Sequence, residues 1–187
     1  RASYKLLQLN RKFKLIRNGD TVIELGAAPG GWTQVVVELT GPGGRVIAVD
    51  IASMEPVEGA KFVKGDMTKH ETMERVLELA GGREVNAVVS DMSPNISGNY
   101  GYDQARSVDL AQKALKVARQ SLREGGCFLV KVFGGADFNR FLNTVREDFS
   151  FVKVNHPKAS RKSSSEVYVV AKGFIVRNET NDDDGTE

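Results

Sequence analysis

The chain has 187 residues, 41% hydrophobic and 27% charged, with 19 Gly and 5 Pro, which suits one compact domain. Its apolar runs, such as 35–37 and 46–49, fall far short of the roughly 18 consecutive apolar residues of a membrane span. A single cysteine, Cys127, excludes an internal disulfide framework, and with only His70 and His156 to join it it makes a poor zinc site.

Ser3 caps a predicted helix from about Tyr4, in which Leu6, Leu9 and Phe13 recur at helical spacing while Lys5, Gln8 and Lys12 lie off that stripe. After an Asn18-Gly19-Asp20 turn, Thr21 to Leu25 is rich in β-branched residues and reads as a buried strand ending at Gly26. The pattern then alternates: helix from about Trp32 to Leu39, strand Arg45 to Asp50, short strand Lys61 to Lys64, helix Glu71 to Ala80, strand Val85 to Ser90, and a long helix from about Tyr102 to Leu122. A Gly125-Gly126 break precedes strand Cys127 to Val132 and helix Asp137 to Phe149. Such alternation predicts an α/β fold, a mostly parallel sheet with helices on both faces. Residues 151–154 and 166–176 then read as two strands with no helix between them, an antiparallel hairpin at one edge. No repeat or internal linker interrupts residues 1–177, which are expected to form a single domain.

The formal charge of +2 hides an asymmetry. Residues 178–187 hold five acids and no Lys or Arg, so residues 1–177 carry +7. A basic body with an acidic, disordered tail hints at a polyanionic partner. No apolar segment of the signal-peptide kind follows Arg1, so a soluble, cytoplasmic protein is expected.

In an open α/β sheet, ligands bind beyond the carboxyl ends of the strands. After the first strand stands Gly26-Ala27-Ala28-Pro29-Gly30-Gly31-Trp32-Thr33, where small residues let a ligand approach the backbone. A P-loop needs Lys where Trp32 stands, and a dinucleotide fingerprint needs Gly where Ala28 stands. A methionine-derived cofactor lying over the loop fits better, while a tight turn with no ligand is the ordinary alternative. Asp50 ends the second strand, 24 residues after Gly26, where a carboxylate can accept both hydroxyls of a ribose. Asp66 follows the third strand, where it can receive an adenine amino group or serve as a turn acid. Asp91 follows the fourth. Lys131 interrupts an otherwise apolar fifth strand, a costly position that calls for a carboxylate partner; Asp91 is the obvious one, in an ion pair that is either structural or catalytic. Glu166 enters the last strand directly after the basic, hydroxyl-rich loop Ser160 to Ser165, which suits phosphate contacts.

These residues resemble the FtsJ (RrmJ) family of ribosomal RNA 2′-O-ribose methyltransferases. The matching segments are 1–6, Glu24 to Gln34, Ser90 to Gly98, Val130 to Phe133 and Ser160 to Tyr168, in family order over nearly the whole chain. The resemblance implies a Rossmann-like methyltransferase fold, with a seven-stranded sheet and a C-terminal antiparallel hairpin. It also implies S-adenosylmethionine as cofactor, with S-adenosylhomocysteine as product and no metal required. The family's Lys-Asp-Lys-Glu tetrad falls on Lys5, Asp91, Lys131 and Glu166. Its cofactor contacts fall on Gly30, Trp32, Asp50, Asp66 and Asp91, with Gly26 opening the same loop. Met92-Ser93-Pro94-Asn95 resembles the ribosomal branch more than the tRNA branch. The expected partner is therefore ribosomal RNA or the large subunit, with no membrane or DNA partner and a monomeric enzyme.

On this reading Lys131 is the catalytic centre. Asp91 and Glu166 oppose the pKa depression a lysine base needs and Lys5 favours it, so a base and a protonated, alkoxide-stabilising Lys131 both stay open. RNA is expected against Arg1, Lys5, Arg11 and Lys12 of the first helix and Arg161 and Lys162 of the late loop. An NAD-dependent oxidoreductase is a rival, but no convincing substrate-side proton donor accompanies the loop. A binding-only ribosome-assembly factor is another, and it gains little from a lysine in an apolar strand.

Overall fold

A computed structural model of the chain describes residues 2–82, 84–156 and 165–177. Its elements are α1 (Ala2–Phe13), β1 (Thr21–Leu25), α2 (Gly31–Thr40), β2 (Arg45–Asp50), β3 (Ala60–Lys64), α3 (His70–Leu79), β4 (Val85–Ser90), α4 (Tyr100–Ser121), β5 (Leu122–Phe133), α5 (Phe138–Asp148), β6 (Phe149–Asn155) and β7 (Glu166–Phe174). The seven strands form one sheet in the order β3-β2-β1-β4-β5-β7-β6. The β1 to β5 neighbours pair in parallel, and β7 runs antiparallel between β5 and β6. The predicted hairpin is present, with the last strand turned inward and β6 at the edge.

Alternation along the strands sends side chains to two separate cores. Ile23, Leu25, Val88, Phe128, Val130 and Val169 meet the helices α3, α4 and α5 on one face. On the other face Val22, Val89, Leu129, Tyr168 and Val170 pack with Leu6, Leu9 and Phe13 of α1 and Trp32, Val35 and Val36 of α2. That second face continues, two residues at a time, into Glu24 of β1, Asp91 beyond β4 and Lys131 of β5. The predicted docking of α1 through its leucines is what the structure shows.

Most boundaries shift by one or two residues; α1 begins at Ala2, so Ser3 lies inside its first turn and does not cap it, and two further differences change an element. The strand expected from Cys127 begins at Leu122, because Leu122 already pairs with Val85 before the register shifts between Val85 and Ala87. Gly125, at φ +81°, lets the chain bulge there rather than end. The helix expected to run through Phe149 stops at Asp148, and Phe149 opens β6, its ring stacked 6.0 Å from Phe128 and tilted 5.3 Å from Phe174.

Candidate active site

The strand ends gather the predicted residues at one rim of the sheet. Beyond β1, β2, β3 and β4 lies a cleft of about 430 Å³, lined among others by Gly26, Asp50, Asp66, Asp91 and Met92, with Leu25, Val49, Met67 and Leu110 as apolar walls. Gly26 has φ +68°, and a Cβ there would collide with Met92 Cγ; only glycine keeps both the turn and the cleft wall. Asp50 is fixed by two backbone amides, Ala28 N donating to Oδ2 at 2.9 Å and Ala52 N to Oδ1 at 2.8 Å. Each oxygen keeps lone-pair capacity for a ribose hydroxyl. Asp66 accepts from both the amide and the hydroxyl of Thr68 at 2.8 and 2.7 Å, and these bonds hold its carboxyl below the usual carboxylate range. The volume, the apolar walls and the paired carboxylates fit a nucleoside with a charged tail.

Gly30 and Trp32 are placed differently. Gly30 holds φ +112° at the start of α2, with Val57 and Met54 beside it. Trp32 is buried in the second core, stacks on Tyr168 at 6.1 Å, and donates from Nε1 to the Ala2 carbonyl at 2.7 Å. Neither is among the residues lining the cleft.

Asp91 belongs to the cleft and also to a charged cluster. Lys131 Nζ lies 3.4 Å from Asp91 Oδ1 and 3.9 Å from Glu166 Oε1, with only 11% of the lysine side chain exposed. The register places these groups: β5 and β7 pair Lys131 with Tyr168 and Phe133 with Glu166, so Glu166 stands two residues from Tyr168 on the same face. The Tyr168 hydroxyl donates to Asp91 Oδ1 at 3.0 Å, and its ring carries Lys5 Nζ 5.6 Å from the centroid. All four predicted catalytic residues therefore meet around Tyr168, which the sequence reading did not single out. Burial pushes the Asp91 carboxyl up, against the opposing pull of Lys131 and the Tyr168 hydrogen bond. Burial and the nearby carboxylates push the Tyr168 phenol up strongly, keeping it a donor.

Of the residues expected to hold RNA, Arg11 and Lys12 are exposed in the last turn of α1, while Arg1, Arg161 and Lys162 lie outside the described residues. The acidic tail 178–187 does too. Among the described residues, no helix is long and apolar enough to cross a membrane.

The family model of FtsJ-like methyltransferases matches residues 1–174. The chain is 49% identical over 175 residues to the ribosomal RNA large subunit methyltransferase E of Methanocella arvoryzae, covering 94% of this chain and 67% of that protein. With the enzyme of the same name from Marinobacter nauticus it shares 47% over 176 residues, covering 94% and 85%. A crystal structure described as a ribosomal RNA methyltransferase from Plasmodium falciparum superposes with a TM-score of 0.86 at 26% identity, covering 95% of this chain and 98% of that one. The seven-stranded sheet with its antiparallel end is thus the Rossmann-like methyltransferase fold.

Proposed function

The chain belongs to the FtsJ-like methyltransferase family, and from that premise we propose that it methylates the ribose 2′-hydroxyl of RNA, in the large-subunit ribosomal RNA and most specifically at a uridine. The observation that carries this reading is the double membership of Asp91. It lines the cleft and stands 3.4 Å from Lys131, so the cofactor site and the lysine centre share a wall.

S-adenosylmethionine, when bound, supplies an electrophilic methyl group on a sulfonium. Asp50 and Asp66 would hold its ribose and adenine, Gly26 would let it approach the backbone, and Asp91 would lie toward its methionine end. Lys131 would direct the hydroxyl oxygen and, as an ammonium, compensate the charge that develops there; as the O–CH3 bond formed, the S–CH3 bond would break to give S-adenosylhomocysteine, and the hydroxyl proton would pass to solvent. Asp91 and Glu166 hold the amine from two sides. Lys5, over the Tyr168 ring, supplies a second cation to the RNA strand, and the exposed Arg11 and Lys12 extend that basic track together with Arg1, Arg161 and Lys162. The relatives carrying the large-subunit name support ribosomal RNA as the substrate; the same proposal takes the enzyme as a cytoplasmic monomer whose catalytic domain is residues 1–177.

The test is methyl transfer from labelled S-adenosylmethionine to unmethylated large ribosomal subunits and to bulk tRNA, with Lys131→Ala as the control. Label on ribose in the subunit, lost in the variant while cofactor affinity persists, is the expected result. Label in tRNA alone overturns the substrate, and normal turnover by Lys131→Ala removes that residue from the catalytic role.

A further inference from the structure

Two aromatic side chains stand in water where a buried core gains nothing from them. Tyr100 and Tyr102 are 57% and 56% exposed at the start of α4. Exposed aromatic rings are common singly; here they come with a cation and a rigid support. The guanidinium carbon of Arg106, one turn on, lies 5.6 Å from the centre of the Tyr102 ring, so the ring already presents its face to a planar cation.

The support is built from several elements. The Tyr100 hydroxyl donates to the Gly134 carbonyl at 2.5 Å, and the Gly134 amide donates in turn to the carbonyl of Ser165, beside Glu166. Ser107 Oγ accepts from the Phe133 amide at 2.9 Å. The opening turns of α4 are thereby fastened to Phe133, which ends β5, and to Gly134, two and three residues beyond Lys131. On the other side, the chain from Asp91 reaches α4 through a braced loop: Asp103 accepts from the amide and hydroxyl of Ser97, and Asn99 Oδ1 accepts from Tyr102 N at 3.0 Å. The platform therefore belongs to the same rim as Asp91, Lys131 and Glu166.

We propose that Tyr102 and Arg106, on a helix end that Tyr100 anchors to Gly134, form a stacking platform for an unpaired base next to the methylated nucleotide, an inference that rests on the RNA reading above. The chemistry selects single-stranded RNA. A base offers a π-face of any sequence to an exposed ring and its phosphate pairs with the adjacent guanidinium, whereas an apolar partner would leave Arg106 unpaired and an acidic one would leave the Tyr102 ring unused. A ribose presented to Lys131 has to leave its helical stack, and a ring at the same rim compensates the stacking lost by its neighbour.

The experiment measures KM and kcat for methyl transfer to unmethylated large ribosomal subunits, and to protein-free RNA extracted from them, for the wild type, Tyr102→Ala, Tyr102→Phe and Arg106→Ala. Stacking on one ring corresponds to a KM rise of about fivefold or more in Tyr102→Ala, with kcat and cofactor affinity unchanged, and Tyr102→Phe should behave as wild type. Loss of a phosphate contact in Arg106→Ala lowers the slope of log KM against log salt by about 0.7; loss of stacking in Tyr102→Ala leaves that slope alone. An unchanged KM in Tyr102→Ala overturns the platform while leaving the RNA reading standing. A KM defect on intact subunits that vanishes on protein-free RNA assigns the surface to a ribosomal protein and equally overturns it. A wild type that methylates no RNA removes the reading itself, and the platform with it.

Discussion

Glu24 is 2% exposed next to the last residue of β1, and its Oε1 accepts a hydrogen bond from the hydroxyl of Thr33 in α2. Burial raises its pKa from 4.5 to about 7, against the Thr33 bond, with the Asp91 and Asp50 carboxylates adding to the rise. Between those two values the folded protein keeps a proton that the unfolded chain has released. Stability therefore falls as pH climbs through about 4.5 to 7 and levels off above, by an amount on the order of 3 kcal/mol from this group. Glu24→Gln keeps a neutral polar group in the same space, so it should match the wild type near pH 4.5 and exceed it near pH 8. Urea unfolding at both pH values checks this; equal losses in both proteins would mean that Glu24 is not the titrating group.

The helix α1 is the element that brings Lys5 to the site, and it is pinned at both ends. Trp32 Nε1 donates to the Ala2 carbonyl and Lys172 Nζ to the Phe13 carbonyl, each at 2.7 Å, while Leu6 is fully buried between them. Trp32→Phe retains the stack on Tyr168 and removes the first hydrogen bond. It should lower stability by about 1 kcal/mol, speed hydrogen exchange in the first turns of α1 and reduce kcat, with cofactor affinity unchanged because Trp32 is outside the cleft wall. A weakened cofactor affinity would instead place the indole at the ligand. The same element shows what a sequence discloses. The leucine stripe, the strand–helix alternation and a lysine in an apolar strand are local patterns, so α1, β1 to β4 and Lys131 are legible from spacing alone. Tyr168 is not, because its place beside Lys131 and Asp91 follows from the antiparallel register of β7 on β5, which no local pattern encodes. Glu24 escapes notice for a similar reason: its partner Thr33 sits nine residues away in another element. Gly125-Gly126 reads as a break, and only the pairing of Leu122 with Val85 turns it into a bulge.

At the scale of the whole chain, the distribution of charge matters more than its sum. Residues 1–177 carry +7 against five acids in residues 178–187, and α1 ends in the exposed pair Arg11 and Lys12. A polyanion and the acidic tail are attracted by the same basic surface, so the tail lowers the local field that an RNA strand meets. Deleting residues 178–187 should therefore tighten RNA binding at low ionic strength, where the Debye length is about 30 Å at 0.01 M, and change it little at 1 M, where it is about 3 Å. The wild-type affinity itself should fall steeply with salt, since each neutralised phosphate releases counterions. Anisotropy titrations of labelled large-subunit RNA with both proteins across that range separate the two effects. Tightening that persists at 1 M would assign the tail a specific contact rather than a competing charge, and binding by the wild type that ignores salt would remove the basic surface from the docking of RNA.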